Sequence, residues 1–113
     1  MNVLVVSCGR YAAGGYGCPG EWKCFGAAAK REGEFTGYDD VKVVGFLPCD
    51  CPGRELIANI GCVKKNTDVD VVHLSTCMVK AWPACPHMGM DELVQKITEK
   101  FDVRVVKGTH NYS

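Results

Sequence analysis

The sequence predicts a three-layer α/β fold built on a four-stranded parallel sheet. Four short runs rich in β-branched residues are each typical of a strand that is buried on both faces. They lie at 3–7, 41–47, 69–75 and 103–107. Segments with helical periodicity separate these runs, so the order of elements is βαβαβαβ. Crossover helices between consecutive strands give a parallel sheet with right-handed connections.

Three helices are expected between the strands. The first falls within residues 21–31, and each of the other two presents four apolar side chains on one face. These are Leu56, Ile57, Ile60 and Val63 in the second helix, and Leu93, Val94, Ile97 and Phe101 in the third. We therefore expect a single domain over residues 1–113, with a flavodoxin-like strand order of 2-1-3-4.

The composition excludes several functional classes. A hydrophobic content of 47% and 23% charged residues are ordinary for a globular protein. Lys plus Arg and Asp plus Glu are balanced at 13 each, so nothing indicates a nucleic acid or an anionic membrane as partner. The sequence shows no signal-peptide pattern and no apolar run of the length that a membrane span needs. We expect a cytoplasmic protein that binds neither nucleic acid nor membrane.

Eight cysteines in 113 residues are the unusual feature of the chain. In the cytoplasm, cysteines are more often metal ligands or redox groups than structural disulfides. Seven of the eight lie directly after a predicted strand or in the segment that follows it, and none lies inside a predicted strand. Because the carboxyl ends of parallel strands meet at one edge of the sheet, these residues should gather there. Cys8 follows the first strand, Cys49 and Cys51 follow the second, Cys77 follows the third, and His110 follows the fourth. The others lie in the segments that come next: Cys18 and Cys24 in a Gly-rich segment after Cys8, and Cys85 and His87 after Cys77.

Packing alone explains this clustering poorly. A reduced cysteine does pack as a small hydrophobic residue, but thiolates brought together repel one another unless a cation compensates them. A proline follows Cys18, Cys51 and Cys85, which stiffens loops that could hold a ligand, although prolines also mark loops of other kinds. Two residues stand outside the group. Cys62 lies off the apolar face of its helix, and His73 within a strand is expected to be a hydrogen-bonded core histidine.

Five motifs, in order along the chain, together resemble those of one family. They are "SCGR", "PCDCPGR", "HLSTCM", "CPH" and "KGTH". The sequence resembles the CGGC-domain family, small proteins of anaerobic bacteria and archaea that are rich in cysteine and histidine. The resemblance covers nearly the whole chain and implies a metal-binding domain, with zinc usually suggested. By position it points to Cys8, Cys51, Cys77, Cys85, His87 and His110, with Cys24 in support.

The chain departs from this family at one position. Where the motif that names the family has its first cysteine, this sequence has Pro48, and Cys49 stands one residue further along. Residues two apart on an extended segment face the same way, so Cys49 and Cys51 could both reach one centre with Asp50 turned aside. Either both bind the metal, or Cys51 binds it and Cys49 is a reactive neighbour.

Thiolates with some imidazole suit either zinc or an iron–sulfur cluster. Cys51, Cys77, Cys85 and His87 could give a tetrahedral Zn²⁺ site. Cys8 with Cys51, Cys77 and Cys85 could instead hold a [4Fe–4S] cluster, and there are enough ligands for both centres. The sequence does not separate the two, although resemblance to proteins of anaerobes favours the cluster.

The sequence supports three functional hypotheses. The first is a metal-binding protein that acts in electron transfer or in metal or redox sensing, with a redox partner protein. The second is a thiol-based redox enzyme that reduces a disulfide or a sulfur compound, with Cys49 as a reactive thiol beside the metal. The third is a structural metal site in an interaction module. No general acid–base pair or substrate pocket can be identified from the sequence. The first hypothesis, a metal-binding protein, is therefore preferred, and the redox enzyme is the alternative to it.

Overall fold

The computed structural model describes residues 1–9, 23–49, 54–80, 85–86 and 88–110. Its strands are β1 (Asn2–Cys8), β2 (Lys42–Cys49), β3 (Val71–Leu74) and β4 (Arg104–Lys107). Its helices are α1 (Lys23–Lys30), α2 (Arg54–Asn66), α3 (Thr76–Val79) and α4 (Met90–Phe101), with a 3₁₀ turn at Gly33–Phe35. Among the helices described, none is both long and apolar enough to cross a membrane.

The four strands form one parallel sheet in the order β2-β1-β3-β4, which confirms the predicted topology. β1 is central, and its Val5 lies between Phe46 of β2 and His73 of β3. The register of β1 against β2 shifts between Val3 and Leu4. Because all four strands run the same way, their carboxyl ends share one edge, which we call the carboxyl edge.

Apolar side chains cover both faces of the sheet. On the face toward α2 and α4, alternate residues of β1 pack with Leu56, Ile60, Leu93 and Ile97. On the face toward α1, the other residues of β1 pack with Ala27, Ala28 and Phe35. We call these the α2/α4 face and the α1 face. Burial on both faces explains why the strands read as continuous β-branched runs rather than as alternating patterns.

Strands β1 and β2 extend further than the sequence predicts. They end at Cys8 and Cys49, so the expectation that no cysteine lies inside a strand is wrong for these two residues. The expected end of β2 lay before Pro48, because proline cannot donate to a strand ladder. β2 is an edge strand, where proline is tolerated because the outer side of the strand needs no donor.

Two short elements were not predicted. The 3₁₀ turn at Gly33–Phe35 buries Phe35 completely, and α3 begins directly after β3. Ser75 is the N-cap of α3, and its hydroxyl accepts a hydrogen bond from the backbone N–H of Met78 at 3.4 Å. A helix of this length has no apolar periodicity of its own, so pattern analysis leaves it within the segment that follows the third strand.

Candidate metal centre

The carboxyl edge places two of the predicted ligands side by side. Cys8 is the register partner of Cys49 in the parallel pair of β1 and β2. Both side chains are half-buried and pack against the core of the α2/α4 face. Neighbouring strands lie about 4.8 Å apart, and a metal–sulfur bond is about 2.3 Å long. Two thiols that leave the same face at this spacing can therefore ligate one metal ion or cluster.

Gly9 lets the chain leave β1 close to the end of β2. A Cβ atom at this position would lie 3.0 Å from the carbonyl oxygen of Cys49, a contact tighter than most side chains make. The absence of a side chain therefore allows the two strand ends to remain adjacent beyond the last register pair. The "SCG" motif thus combines a predicted ligand, Cys8, with the small residue that the close approach of the two strand ends requires.

Cys77 comes to the same edge from α3. Its side chain is buried, and its Sγ atom lies 3.2 Å from Oγ of Ser75. The backbone N–H of Ser75 donates to the carbonyl oxygen of Val6 at 2.7 Å, which ties the start of α3 to β1. The next residue, Met78, belongs to the α2/α4 core against which Cys8 and Cys49 also pack. Cys77 is therefore anchored on the far side of β1 from β2.

The other predicted ligands are distributed as follows. Cys85 is exposed ahead of α4, and His110 is half-buried after β4. Cys18, Cys51 and His87 lie outside the described residues. Within the ranges that the structure describes, no group of three or more Cys, His, Asp or Glu side chains is arranged to hold a metal ion. Cys8 and Cys49 are consequently the predicted ligands that the described residues place side by side.

Cys24 lies on the opposite face of the sheet from this pair. It packs against the core of the α1 face, and its Sγ atom is 3.1 Å from Oγ1 of Thr109. The structure therefore does not bring Cys24 next to Cys8 and Cys49. This separation depends on which face of the sheet α1 packs against, and the position of Cys24 in the sequence does not determine that face.

Thr76 and Thr109 join the ends of β3 and β4. The backbone N–H of Thr76 donates to Oγ1 of Thr109 at 3.2 Å, and the N–H of Thr109 donates to Oγ1 of Thr76 at 2.9 Å. The Thr76 hydroxyl also donates to the carbonyl oxygen of His110. These reciprocal bonds fix the segment that carries His110 to the carboxyl edge. Neither threonine was identified from the sequence, although each is the second residue after a strand end, in the "LSTC" and "KGTH" stretches.

His73 is a buried core residue, as the sequence analysis expects. Its Nδ1 lies 2.8 Å from the carbonyl oxygen of Gly108, which can only accept, so Nδ1 carries the proton. Its Nε2, at 2.7 Å, then accepts from the hydroxyl of Tyr38, whose oxygen accepts from Nη2 of Arg104. Burial lowers the pKa of His73, although the bond to Gly108 opposes that shift. The ring of Phe35 stacks on this neutral imidazole with centroids 4.4 Å apart.

The fold and this edge define a cysteine-rich α/β protein with paired thiols at the carboxyl ends of its central strands. The family model of the CGGC domain matches residues 2–110, so the chain belongs to the CGGC domain family. Membership of this family implies a metal-binding role. The chain is 32% identical over 114 residues to an uncharacterized protein of Methanocaldococcus jannaschii, covering 97% of this chain and 87% of that protein. No solved structure matches the chain with significance.

Proposed function

We propose that this chain holds a metal centre with thiolate ligands at the carboxyl edge, with Cys8 and Cys49 as adjacent ligands. The register pairing of these two cysteines on one face of the sheet is the observation that carries the proposal. Strand pairing fixes their separation before metal is bound, so little conformational freedom is lost on binding. The family motif has its first cysteine at the position of Pro48, whereas this chain has Cys49 one residue later. In this proposal the difference is functional, because it places the thiol of Cys49 opposite that of Cys8.

The donor set fits a metal that prefers sulfur. Cys77 is the third ligand that we assign, and Cys51, Cys85 and His87 are the candidates for completing the set. The hydroxyl of Ser75 accepts from the N–H of Met78, so its own proton can be donated to Sγ of Cys77. Hydrogen bonds to ligand sulfurs stabilise thiolates and tune the metal they hold. This environment suits a [4Fe–4S] cluster or Zn²⁺.

The surrounding residues indicate the role that such a centre would serve. A [4Fe–4S] cluster supplies one-electron transfer, whereas Zn²⁺ supplies no redox chemistry. Cys8 and Cys49 are half-buried, so the α2/α4 core shields one side of the sulfurs while the other side stays near the protein surface. That placement fits electron exchange with a redox partner protein, or the sensing of metal or redox state. We favour these roles over a structural site, because the sheet already has a core on both faces.

Purification without oxygen, followed by elemental analysis and a visible spectrum, tests this proposal. A brown protein with stoichiometric iron and sulfide identifies a cluster, and a colourless protein with stoichiometric zinc identifies Zn²⁺. The absence of both after anaerobic purification and reconstitution would overturn the proposed function.

The same pair supports a second candidate function, a thiol-based redox enzyme. A strand spacing of about 4.8 Å lies within the Cα separation of disulfide-bonded cysteines. Cys8 and Cys49 could then reduce a disulfide RSSR, forming one S–S bond between themselves and releasing two RSH molecules, which balances electrons and protons. Alkylation of the metal-loaded protein separates the two candidates. Modification of Cys49 with the metal retained supports the enzyme, whereas protection of both thiols supports the binding site.

A further inference from the structure

The last register pair of β1 and β2 suits a disulfide as well as a pair of metal ligands. Cys8 and Cys49 are the final residues of their strands and lie opposite each other. Cys8 lies two residues beyond Val6, a core residue of the α2/α4 face, and therefore projects to that face. Cys49 lies two residues beyond Leu47, which packs against the same core. Neighbouring strands are about 4.8 Å apart, within the range of about 4.4 to 6.8 Å between the Cα atoms of disulfide-bonded cysteines.

The backbone around this pair is fixed by contacts of the chain itself. β1 is paired with β2 along its whole length, and the absence of a side chain at Gly9 keeps the end of β1 close to the carbonyl oxygen of Cys49. On its other side, β1 is tied to the start of α3 by the 2.7 Å hydrogen bond from the N–H of Ser75 to the carbonyl oxygen of Val6. A change from two thiolate ligands to one disulfide therefore needs rotation of two side chains and leaves the strand pairing in place.

The core of the sheet is complete on both faces without a metal. Apolar side chains pack on the α2/α4 face and on the α1 face, and residues 3–6 of β1 are fully buried between them. Small domains that lack such a core unfold when their metal is removed. This chain should instead stay folded when its two thiols leave the metal, so that their oxidation can be reversed.

We propose that Cys8 and Cys49 form a redox switch that controls whether the metal centre keeps its metal. In the reduced state both thiolates are ligands, which is the proposed function on which this inference rests. A small disulfide RSSR converts the pair into a disulfide, whose sulfurs no longer offer the thiolates that a metal binds. The centre thus loses two ligands together and releases its metal. In the redox enzyme, by contrast, the same pair turns over a substrate while the metal is retained.

The switch consists of two successive exchange reactions. The Cys49 thiolate attacks one sulfur of RSSR, a bond forms between them, the original S–S bond breaks, and RS⁻ leaves with the electron pair. The Cys8 thiolate then attacks the Cys49 sulfur of this mixed disulfide and expels the second RS⁻. Two protein thiolates are oxidised, one RSSR is reduced to two RS⁻, and no proton is transferred. We assign the first attack to Cys49 because β2 is an edge strand, whereas β1 lies between β2 and β3.

Treatment of the full-length, anaerobically purified protein with glutathione disulfide tests the inference. Peptide mapping by mass spectrometry locates the disulfide, elemental analysis after gel filtration measures the metal that remains, and circular dichroism follows the fold. We expect a disulfide between Cys8 and Cys49, complete loss of the metal and an unchanged circular dichroism spectrum. Dithiothreitol should reduce this disulfide, after which reconstitution should restore the metal.

Two variants separate the switch from general thiol oxidation. Cys8→Ser, stripped of metal with a chelator, lacks the second thiol and should stop at a mixed disulfide between glutathione and Cys49. This readout does not depend on bound metal. Cys62→Ser, in which the altered residue lies within α2, should form the disulfide and lose its metal as the wild type does.

The outcomes also distinguish this inference from the proposed metal site. A protein that keeps its metal throughout the treatment, or that loses it without a disulfide between Cys8 and Cys49, would overturn the switch and leave the metal site standing. A reduced protein that holds no metal before the treatment would overturn the proposed function, and the switch with it.

Discussion

The hydroxyl of Tyr38 donates a hydrogen bond of 2.7 Å to Nε2 of His73, across 35 residues of sequence. The imidazole is fully buried in β3 and is fixed on its other side by the carbonyl oxygen of Gly108. Gly108 directly precedes Thr109, which lies against Cys24. The bond between Tyr38 and His73 therefore helps to hold the segment that follows β4 at the carboxyl edge.

Tyr38→Phe should destabilise the protein by roughly 1 to 3 kcal/mol, because it leaves the buried Nε2 of His73 without a donor. Urea denaturation gives the change in the free energy of unfolding. Arg104→Gln is the matched control, since it replaces an exposed guanidinium that donates to the Tyr38 oxygen and lies 5.5 Å from the centre of the Tyr38 ring, and it should cost less than about 1 kcal/mol. An equal decrease in the free energy of unfolding in the two variants would show that the buried hydrogen bond contributes no more than the exposed one.

The stability of the protein should depend on pH through His73. The unfolded chain binds a proton there near pH 6.5, whereas burial lowers the pKa of this group in the folded chain. The unfolded state therefore binds more protons between the lowered pKa and 6.5, so the free energy of unfolding decreases as pH falls through this window. Above pH 6.5 the contribution of the neutral ring is complete.

The titration of His73 should change the free energy of unfolding by at most about 1.4 kcal/mol per pH unit. Denaturation at a series of pH values measures it, and His73→Gln should lower the overall stability while removing this part of the slope. An unchanged slope in His73→Gln would assign the pH dependence to other groups.

Gly33→Ala should destabilise the protein, because the backbone of Gly33 has a φ of +57° and a Cβ atom would overlap the carbonyl oxygen of Thr109. That oxygen accepts a hydrogen bond from the N–H of Glu34 at 2.9 Å, so the overlap cannot be relieved without moving this contact. We expect a loss of about 1 to 3 kcal/mol in thermal or urea unfolding.

Gly26→Ala is the control for this substitution. Gly26 lies within α1 and an added Cβ would meet nothing within 4 Å, so alanine should stabilise the helix by about 0.5 to 1 kcal/mol. A Gly33→Ala variant as stable as Gly26→Ala would contradict the described packing of the 3₁₀ turn against Thr109.

Single serine substitutions should show that the thiols are unequal. Cys77→Ser should lose metal because Cys77 is the third ligand that we assign at the carboxyl edge, and the same result is expected for Cys51 and Cys85, which are candidates for completing the ligand set. Cys62→Ser should leave the metal content unchanged, since Cys62 lies within α2 and not at the carboxyl edge. Metal analysis after anaerobic purification gives the comparison, and equal losses for Cys62→Ser and Cys77→Ser would refute the assignment.

The sequence predicted the sheet because each strand is a buried apolar run, and the strand order because crossover helices make parallel neighbours. It also placed Cys8, Cys49 and Cys77 near one edge, since that follows from topology alone. It could not assign the face to which each side chain points. The register of Cys8 with Cys49 depends on β2 extending past Pro48, and the position of Cys24 on the α1 face depends on the path of the helix.

The hydrogen-bond network of His73 was predictable only in part. A histidine inside a strand was expected to be hydrogen-bonded in the core, which the structure confirms. Its partners come from elements 35 residues away in either direction, and no local pattern identifies them. The pairing of Thr76 with Thr109 was missed for the same reason.

The metal content of a Cys8→Ser/Cys49→Ser double variant tests the central claim most directly. The variant should be purified without oxygen beside the wild-type protein and Cys62→Ser, with iron, sulfide and zinc measured and folding checked by circular dichroism. We expect the wild type and Cys62→Ser to carry stoichiometric metal, and the double variant to fold and carry almost none. A folded double variant with the full metal content would show that the paired thiols of β1 and β2 are not the metal site.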